Sequence, residues 1–319
     1  MKLQRFRGNP VLTASKKNKW EAAQVFNPSV VYENGVFHML YRAVASGPKP
    51  FWGGFSSIGY ASSKDGVHFK RSRRPLIKPE YPWEKFACED PRITKLGNIY
   101  YIFYTTVTRD SATQKIKARI GLATTKNFKT IHKHGVVGPD FWSKAGMIFP
   151  EKIRGKILML FTAFVDSPRS SIVYAAFKSE KELLRPGKEY WKRFLKTYRK
   201  QRILFSSLKY RRGPEAGASP IKTKKGWLLI YCGPAKKEKV WPIHAALLDL
   251  KDPTRVLAYT KNPILKPEEK YELEGAVDNV TFPEGAVIVK DKLYVYYGAA
   301  DKSICLATCT LSDLLRALR

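Results

Sequence analysis

Acidic, basic and amide side chains gather around five prolines spread along the chain. Carboxylates can transfer protons, and carboxylate, amide and guanidinium groups are poor core material but good ligand contacts, so their recurrence favours a functional site. Because Asn, Asp and Ser are also common in turns and caps, each residue taken alone has an ordinary structural explanation. The polar residues beside the prolines are Asn27, Glu89, Asp90, Arg92, Glu151, Ser219, Asp278, Asn279 and Glu284.

The same prolines mark a repeat. Pro28, Pro91, Pro150, Pro220 and Pro283 are separated by 63, 59, 70 and 63 residues. Near each proline begins a run rich in β-branched and aromatic residues, then a turn, then a second such run that closes on an aromatic residue, which predicts a β-hairpin. The closing aromatic residues are Tyr41, Tyr104, Phe161, Tyr231 and Tyr297.

Another short apolar run follows each hairpin, so every repeat has three or four strands. Five such repeats around one axis predict an all-β fold, a five-bladed β-propeller, with residues 1–319 as a single domain. Inner strands of a propeller line its central channel, so we expect the residues beside the prolines at one channel mouth. Helical spacing of apolar residues within 189–205 predicts a short helical excursion between blades three and four.

The composition narrows the possible functions. The 58 Lys and Arg exceed the 27 Asp and Glu, for a net charge of +31, which attracts polyanions in general. The basic residues are spread over the whole chain, so a basic surface is favoured over a nucleic-acid site. A hydrophobic content of 44% excludes a disordered chain.

Targeting and metal signals are absent from the sequence. There is no run of 18 apolar residues and no apolar signal-peptide core near the N-terminus, so we expect no membrane span and a cytoplasmic location. Four scattered cysteines and five histidines show no disulfide or metal-ligand spacing, so we expect no metal. The oligomeric state stays open.

Several blade segments together resemble glycoside hydrolase family 130. They include VFNPSVVYENGVFHMLYRA, CEDPRITKLGNIYYIFYT, IFPEKIRGKILML and NVTFPEGAVIVKDKLYVYYGAAD, and the likeness runs from about residue 9 to 313. Its most specific element is the string Glu89-Asp90-Pro91-Arg92. The resemblance implies a five-bladed propeller that cleaves β-mannosides, either with phosphate or with water.

The resemblance also implies a chemistry. Asp90 corresponds to the general acid of the family, which protonates the glycosidic oxygen directly or through a sugar hydroxyl while the anomeric centre is inverted. An attacking phosphate needs no base because it is already an anion. An attacking water needs a second carboxylate, about 6.5–9.5 Å from the acid. Apart from the motif around it, Asp90 has a structural alternative, which is a carboxylate at a strand start that forms an ion pair with Arg92.

Further positions are assigned by the same resemblance. Lys144 and Arg42 are expected to bind phosphate, with inorganic phosphate as a co-substrate and no cofactor if the enzyme is a phosphorylase. Tyr104 is a candidate for stacking on a sugar, with packing inside the blade as the alternative. The residues expected to contact the oligosaccharide are Asn27, Arg42, Glu89, Arg92, Tyr104, Asn279 and Asp301.

Two departures from the family pattern bear on the nucleophile. Phe161-Thr162 replaces a His-Arg pair, and Tyr231-Cys232-Gly233 replaces Tyr-His-Gly, and both lost groups are phosphate ligands in the family. Glu215 is an added acid, so Glu215 and Glu151 are candidate bases for an attacking water. The alternative for Glu215 is an ion pair with Arg211 or Arg212.

These departures favour an inverting glycosidase that cleaves β-mannosidic bonds of manno-oligosaccharides by hydrolysis. The first alternative is an inverting β-mannoside phosphorylase that releases mannose 1-phosphate. The second is a non-catalytic binder of acidic glycan or nucleic acid, which the net charge keeps open although no nucleic-acid motif is present.

Overall fold

Antiparallel strands dominate this chain and form five successive blades. The structure is a computed structural model and describes residues 1–49, 53–111, 113–165, 167–205, 212–234 and 240–318. The chain opens with the short strand β1 (Gln4–Arg5), which belongs to blade five. The strands of blades one to three are β2 (Gln24–Glu33), β3 (Val36–Val44), β4 (Ser56–Ser63) and β5 (Lys70–Arg71); β6 (Ala87–Leu96), β7 (Ile99–Arg109), β8 (Ile116–Thr125) and β9 (His132–Val136); and β10 (Ser143–Ile148), β11 (Ile157–Ala163), β12 (Ser171–Phe177) and β13 (Arg202–Phe205).

Blades four and five follow the same plan. In blade four the inner strand is broken into two pieces, and both pair with the second strand of the blade. The five-bladed propeller predicted from the proline spacing is therefore the observed fold. The strands of these blades are β14 (Glu215–Ala216), β15 (Ile221–Thr223), β16 (Gly226–Cys232), β17 (Ile243–Leu248) and β18 (Val256–Tyr259); and β19 (Thr281–Val289), β20 (Lys292–Ala299) and β21 (Ser303–Thr310).

Short helices connect or cover the blades. The predicted helical excursion is observed, but it lies between β12 and β13, within blade three, rather than between blades three and four. It consists of two α-helices, α1 (Glu180–Leu184) and α2 (Lys188–Thr197), and a 3₁₀ turn. Trp191 and Phe194 on α2 pack edge-on and tilted against Phe161 of β11, which anchors the helix to that blade. The helices are α1 (Glu180–Leu184), α2 (Lys188–Thr197), α3 (Lys270–Leu273) and α4 (Leu311–Ala317), and the 3₁₀ turns are Lys19–Glu21, Pro82–Glu84 and Tyr198–Gln201.

The N-terminal strand closes the ring of blades. In β1, Gln4 and Arg5 pair with Thr308 and Ala307 of β21, so residues from the two ends of the chain share one blade. This pairing covers the outer edge of β21, which would otherwise expose unpaired backbone groups. Blade five is thus completed by residues just over 300 positions away in sequence.

A buried tyrosine–glutamate–cation group recurs in three of the blades. In blade two, the Tyr104 hydroxyl donates to Glu84 at 2.8 Å, and Lys133 Nζ lies 2.5 Å from the same carboxylate. The glutamate sits in the 3₁₀ turn before the inner strand, and the cation lies on the outermost strand, so one group ties together three parts of a blade. The equivalent groups are Tyr41, Glu21 and Arg71 in blade one and Tyr297, Glu272 and Arg5 in blade five.

This group decides the role of Tyr104. Its ring is buried inside blade two and its hydroxyl is committed to Glu84, so it does not line the channel. The structure therefore removes Tyr104 from the residues predicted to stack on a sugar. Burial raises the pKa of the Tyr104 hydroxyl well above its usual range, and the negative charge of Glu84 adds to the shift, so the hydroxyl remains a hydrogen-bond donor.

Candidate active site

Bulges in the inner strands aim side chains into the channel. The pairing register shifts around Asn27 in β2, around Asp90 in β6 and around Ala145 in β10. All three residues adopt positive φ, with values of +49° for Asn27, +51° for Asp90 and +58° for Ala145. Asn and Asp tolerate this backbone conformation better than most residues do, and a bulge re-aims the side chain that it carries.

The first two bulges bring Asn27 and Asp90 together across blades one and two. Asn27 Nδ2 donates to Asp90 Oδ1 at 2.9 Å, and both side chains are buried. A Cβ on Gly298 of β20 would lie 2.3 Å from Asn27 Oδ1, so only glycine leaves room for this amide. Three blades therefore cooperate to place one hydrogen bond.

A pocket opens around this pair at the channel mouth. Three basic and four acidic or amide side chains contribute to its wall, namely Arg42, Arg92, Lys144, Asn27, Asp90, Glu215 and Asp301. Its apolar portion comes mainly from blade five and the segment before β17. The lining residues are Asn27, Arg42, Asp90, Arg92, Lys144, Ala145, Glu215, Trp241, Val277, Val280, Phe282 and Asp301.

Arg42 on β3 bridges the two carboxylates of the family motif. Its guanidinium lies 2.7 Å from Glu89 Oε1 and 3.4 Å from Asp90 Oδ1, and Nε donates to Ser56 Oγ at 3.3 Å. The guanidinium also lies over the ring of Phe26, 4.8 Å from its centroid. Glu89 thus faces Arg42 and Ser56 and does not line the pocket itself.

Arg92 is bound chiefly to the protein backbone. It donates to the carbonyl oxygens of Asp90, Ala216 and Gly217 at 2.9, 3.1 and 3.2 Å, and NH2 lies 3.0 Å from Glu284 Oε1. The sequence suggested an ion pair between Arg92 and the Asp90 carboxylate, but Arg92 donates to the backbone carbonyl of Asp90 instead. Arg92 therefore fastens the bulge of blade two to blades four and five.

The charges around Asp90 set its protonation. Burial alone would raise the pKa of Asp90, but the positive charges of Arg42, Lys144 and Arg92 outweigh burial and hold the pKa below its ordinary value. The protein charges alone therefore keep this carboxylate ionised at neutral pH.

Neighbouring acids behave in the opposite way. Burial raises the pKa of Asp301 to about 7, since the attraction of Arg42 compensates only in part. Burial also raises the pKa of Glu89, and it raises the pKa of Glu284 well above its usual range. The channel mouth thus combines one acid whose pKa is lowered, Asp90, with three neighbouring acids whose pKa values are raised.

Glu215 lines the pocket as an ion pair with Arg212. The distance from Arg212 NH1 to Glu215 Oε1 is 3.0 Å, and both side chains are buried. Arg212 also donates to the Gly233 carbonyl at 3.1 Å and contacts Cys232 Sγ at 3.5 Å. This arrangement matches the pairing alternative for Glu215, while Arg211, the other partner considered, lies outside the described residues.

The residues at the two altered family positions serve packing. Phe161 is fully buried against α2, and Thr162 Oγ1 accepts a hydrogen bond from the Ala216 amide at 2.8 Å. Cys232 lies behind the pocket beside Arg212. A basic residue lies beside each altered position, since Lys144 pairs with Thr162 across β10 and β11 and Arg212 contacts Cys232.

Glu151 does not belong to the pocket. Its carboxylate is half exposed and lies 2.6 Å from Lys222 Nζ, on the side of the blades away from the channel mouth residues. The prediction aligned Pro150 with the prolines inside β2, β6 and β19, but β10 has already ended at Ile148. The bulge of this strand lies at Ala145, so Glu151 points elsewhere, and the structure removes it as a candidate base.

Other predicted residues fall at or near the pocket. Asn279 directly precedes the lining residue Val280, and its carbonyl accepts a hydrogen bond from the Trp241 amide at 3.1 Å. Ser219 lies in the channel wall, 3.0 Å from Thr94 Oγ1. The structure adds Trp241 and Phe282 to the candidate site. The sequence could have indicated Phe282, because it directly precedes the repeat proline Pro283. It gave no such signal for Trp241, which lies outside the repeated pattern.

A family model described as beta-1,4-mannooligosaccharide phosphorylase matches residues 2–319. The chain belongs to glycoside hydrolase family 130. The resemblance inferred from the blade motifs is therefore confirmed, as is the expectation of an enzyme class that acts on β-mannosides.

Individual relatives match nearly the whole chain. A 1,2-beta-oligomannan phosphorylase of Thermoanaerobacter sp. (strain X514) is 39% identical over 98% of this chain and 99% of its own length. A beta-1,2-mannobiose phosphorylase of the same strain is 36% identical over 96% of each chain. The solved structure of beta-1,2-mannobiose phosphorylase from Listeria innocua with beta-1,2-mannobiose gives a TM-score of 0.81 at 27% identity, covering 100% of this chain and 99% of the other.

The described residues contain neither a metal-binding cluster nor a membrane-spanning helix. Among the described residues, His, Cys, Asp and Glu side chains form no group of three or more that would hold a metal ion. Over the same residues, no helix is long and apolar enough to cross a membrane.

Proposed function

We propose that this protein is an inverting phosphorylase of β-1,2-linked manno-oligosaccharides. The observation that carries the proposal is the cationic wall of the pocket, where Arg42 and Lys144 face Asp90. Two relatives that match nearly the full chain are named as phosphorylases of β-1,2-mannosides, which supports both the nucleophile and the linkage. The hydrolysis favoured from the sequence thus yields to its alternative.

Arg42 and Lys144 would bind the phosphate. A phosphate dianion needs several charge-assisted donors when it leaves water, and these two side chains supply them without a histidine from β11 or β16. Arg212 neutralises Glu215 at 3.0 Å, which reduces the repulsion that a second carboxylate would exert on the incoming anion. The pocket therefore keeps a positive balance despite its altered family positions.

Phosphate binding would also prepare the acid. Arg42 and Lys144 hold the pKa of Asp90 down, and a dianion placed against them offsets their charge. The pKa of Asp90 then rises, so the carboxyl takes up a proton in the complex that is about to react. The proton and the nucleophile would arrive together.

Phosphorolysis replaces the glycosidic bond by a bond to phosphate. A phosphate oxygen forms a bond to the anomeric carbon as the glycosidic C–O bond breaks, and the proton of Asp90 passes to the leaving oxygen directly or through a sugar hydroxyl. The products are mannose 1-phosphate of inverted configuration and a saccharide one unit shorter. The phosphate monoester returns a proton to Asp90. Inorganic phosphate is the co-substrate, and no cofactor takes part.

Hydrolysis is the second candidate because Glu215 lines the same pocket. The deciding assay incubates the protein with β-1,2-mannobiose, with and without inorganic phosphate, and measures mannose 1-phosphate and mannose. We expect mannose 1-phosphate only with phosphate, and loss of this activity in Asp90→Asn. Glu151→Gln is the matched control and should behave as the wild type, since Glu151 lies outside the pocket. Equal mannose release without phosphate would overturn the proposal and favour Glu215 as a base.

A further inference from the structure

A groove of about 430 Å³ opens between blades three and four beside the candidate active site. It lies between the outermost strand of blade three, β13, and the face of blade four that carries β16, β17 and β18. We call it the rim groove. Its defining residues are Phe205, Pro214, Tyr231, His244, Tyr259 and Lys261.

The rim groove and the pocket are lined by neighbouring residues of the same chain segments. Pro214 lines the groove and its chain neighbour Glu215 lines the pocket. Tyr231 lines the groove, and the next residue, Cys232, contacts Arg212 at 3.5 Å. The His244 ring packs against Gly233, where a Cβ would lie 2.6 Å from Nε2. One continuous wall therefore serves both cavities.

The groove leads away from the channel. Blade four runs from β14 at the channel through β16 and β17 to β18 at the rim. Three steps between neighbouring strands span about 14 Å, which is longer than one pyranose ring. A chain that leaves the pocket through this opening would pass Tyr231 and His244 before it reaches the rim.

Two aromatic rings flank the outer end of the groove. Phe205 ends β13 and Tyr259 ends β18, and they are 55% and 59% exposed. The Arg202 guanidinium lies over the Phe205 ring, 4.1 Å from its centroid. Rings exposed to this degree contribute little to the core, and two of them on opposite sides of one groove offer apolar surface to a ligand. A sugar offers an apolar C–H face to an aromatic ring, and its hydroxyl groups can accept from Lys261 and donate to Nε2 of His244, whose Nδ1 faces the Thr260 carbonyl.

We propose that the rim groove binds the sugar units on the leaving-group side of a manno-oligosaccharide, beyond the bond that is cleaved. The inference rests on the proposed function, because the occupant is the remainder of its substrate. Stacking at Phe205 and Tyr259 makes the groove the determinant of chain-length preference, while the pocket around Asp90 processes the terminal unit. A disaccharide is too short to reach the rim.

The test compares β-1,2-mannotetraose with β-1,2-mannobiose in phosphorolysis. Wild type should show the higher kcat/KM on the tetrasaccharide. Phe205→Ala and Tyr259→Ala should each lower kcat/KM for the tetrasaccharide by roughly three- to tenfold, and change the disaccharide value less than about twofold. Tyr259→Phe retains the ring and should restore most of the preference. Leu257→Ala is the matched control, because Leu257 is an exposed residue of the same strand outside the groove.

The outcomes separate the two proposals. Equal loss on both substrates, or no loss on either, would overturn the groove proposal while phosphorolysis itself stands. Wild type without phosphorolysis of either sugar would refute the proposed function and, with it, the occupant assigned to the groove. Both aromatic side chains are exposed, so unchanged melting temperatures will show that any kinetic effect does not come from unfolding.

Discussion

We expect Arg92 to contribute mainly to the stability of the propeller rather than to substrate binding. Its guanidinium is almost fully buried, donates to three backbone carbonyl groups in blades two and four, and pairs with Glu284 in blade five. Replacing Arg92 by methionine keeps most of the side-chain volume and removes every one of these interactions. The variant therefore tests the fastening function separately from packing.

The expected loss can be worked out from the partners that remain. Breaking a buried ion pair costs about 3–5 kcal/mol when the remaining charge is stranded. Burial already raises the pKa of Glu284 well above its usual range, so this carboxyl becomes neutral in Arg92→Met. The free energy lost with the ion pair therefore lies at the low end of that range. The carbonyl groups each lose a charge-assisted donor, worth about 1.5–3 kcal/mol before relaxation. These terms together reach about 7 kcal/mol or more before relaxation, and we expect a net loss of about 4 kcal/mol because water and neighbouring groups replace part of the lost carbonyl contacts.

Thermal unfolding followed by circular dichroism measures this loss. At roughly 2 °C per kcal/mol for a chain of this size, Arg92→Met should lower the melting temperature by about 8 °C. Arg193→Met on the exposed face of α2 is the control and should stay within about 1 °C of wild type. In a double-mutant cycle with Glu284→Gln, the two losses should fall short of additivity by at least about 1 kcal/mol.

Either of two results would refute this reasoning. Arg92→Met that unfolds within 2 °C of wild type would mean that the carbonyl contacts are replaced by water or by neighbouring groups at little cost. Strict additivity with Glu284→Gln would mean that Glu284 is not the energetic partner of Arg92, whatever their 3.0 Å separation.

Two further predictions concern buried acids and their partners. Tyr104→Phe removes the donor to Glu84 and retains the ring, so it should lower the free energy of unfolding by about 1.5–3 kcal/mol in chemical denaturation. The control Tyr32→Phe, at an exposed tyrosine, should leave it unchanged. Equal stabilities of the two variants would contradict the stabilising role of the tyrosine–glutamate–cation group. Burial raises the pKa of Asp301 to about 7, so the folded state holds a proton that the unfolded state releases between about pH 4 and 7, and stability falls as the pH rises through that window. Asp301→Asn should remove this contribution to the slope of unfolding free energy against pH, which is at most about 1.4 kcal/mol per pH unit. If the wild-type and variant plots of unfolding free energy run parallel from pH 5 to 8, the raised pKa of Asp301 is ruled out.

Much of the fold was predictable because it is encoded locally. Each hairpin is specified by β-branched and aromatic runs, a turn and a closing aromatic residue, and repetition of that pattern specifies the number of blades. The buried glutamates were also discoverable, since Glu21 and Glu84 each follow a tryptophan and each precede a repeat proline by seven residues. Their cations were not, because Arg71 and Lys133 come from strands about 50 residues further along the chain.

The candidate site was predictable only in part. Asn27 and Asp90 were found because each precedes a repeat proline and also occupies a bulge. The same rule failed at Glu151, because the bulge of β10 precedes Pro150 by several residues. A bulge depends on how one strand registers with its neighbour, and proline spacing does not report that register.

The sequence by itself determined the five repeats, their order and the motif that carries Asp90, because periodicity and local propensity need no knowledge of distant contacts. Only the tertiary structure decided which polar residues meet. It turned Glu151 towards Lys222, joined Glu215 to Arg212, and directed Arg92 to backbone carbonyl groups of another blade. The physical reason is that strand register and blade packing set the direction of each side chain, and residues far apart in sequence fix both.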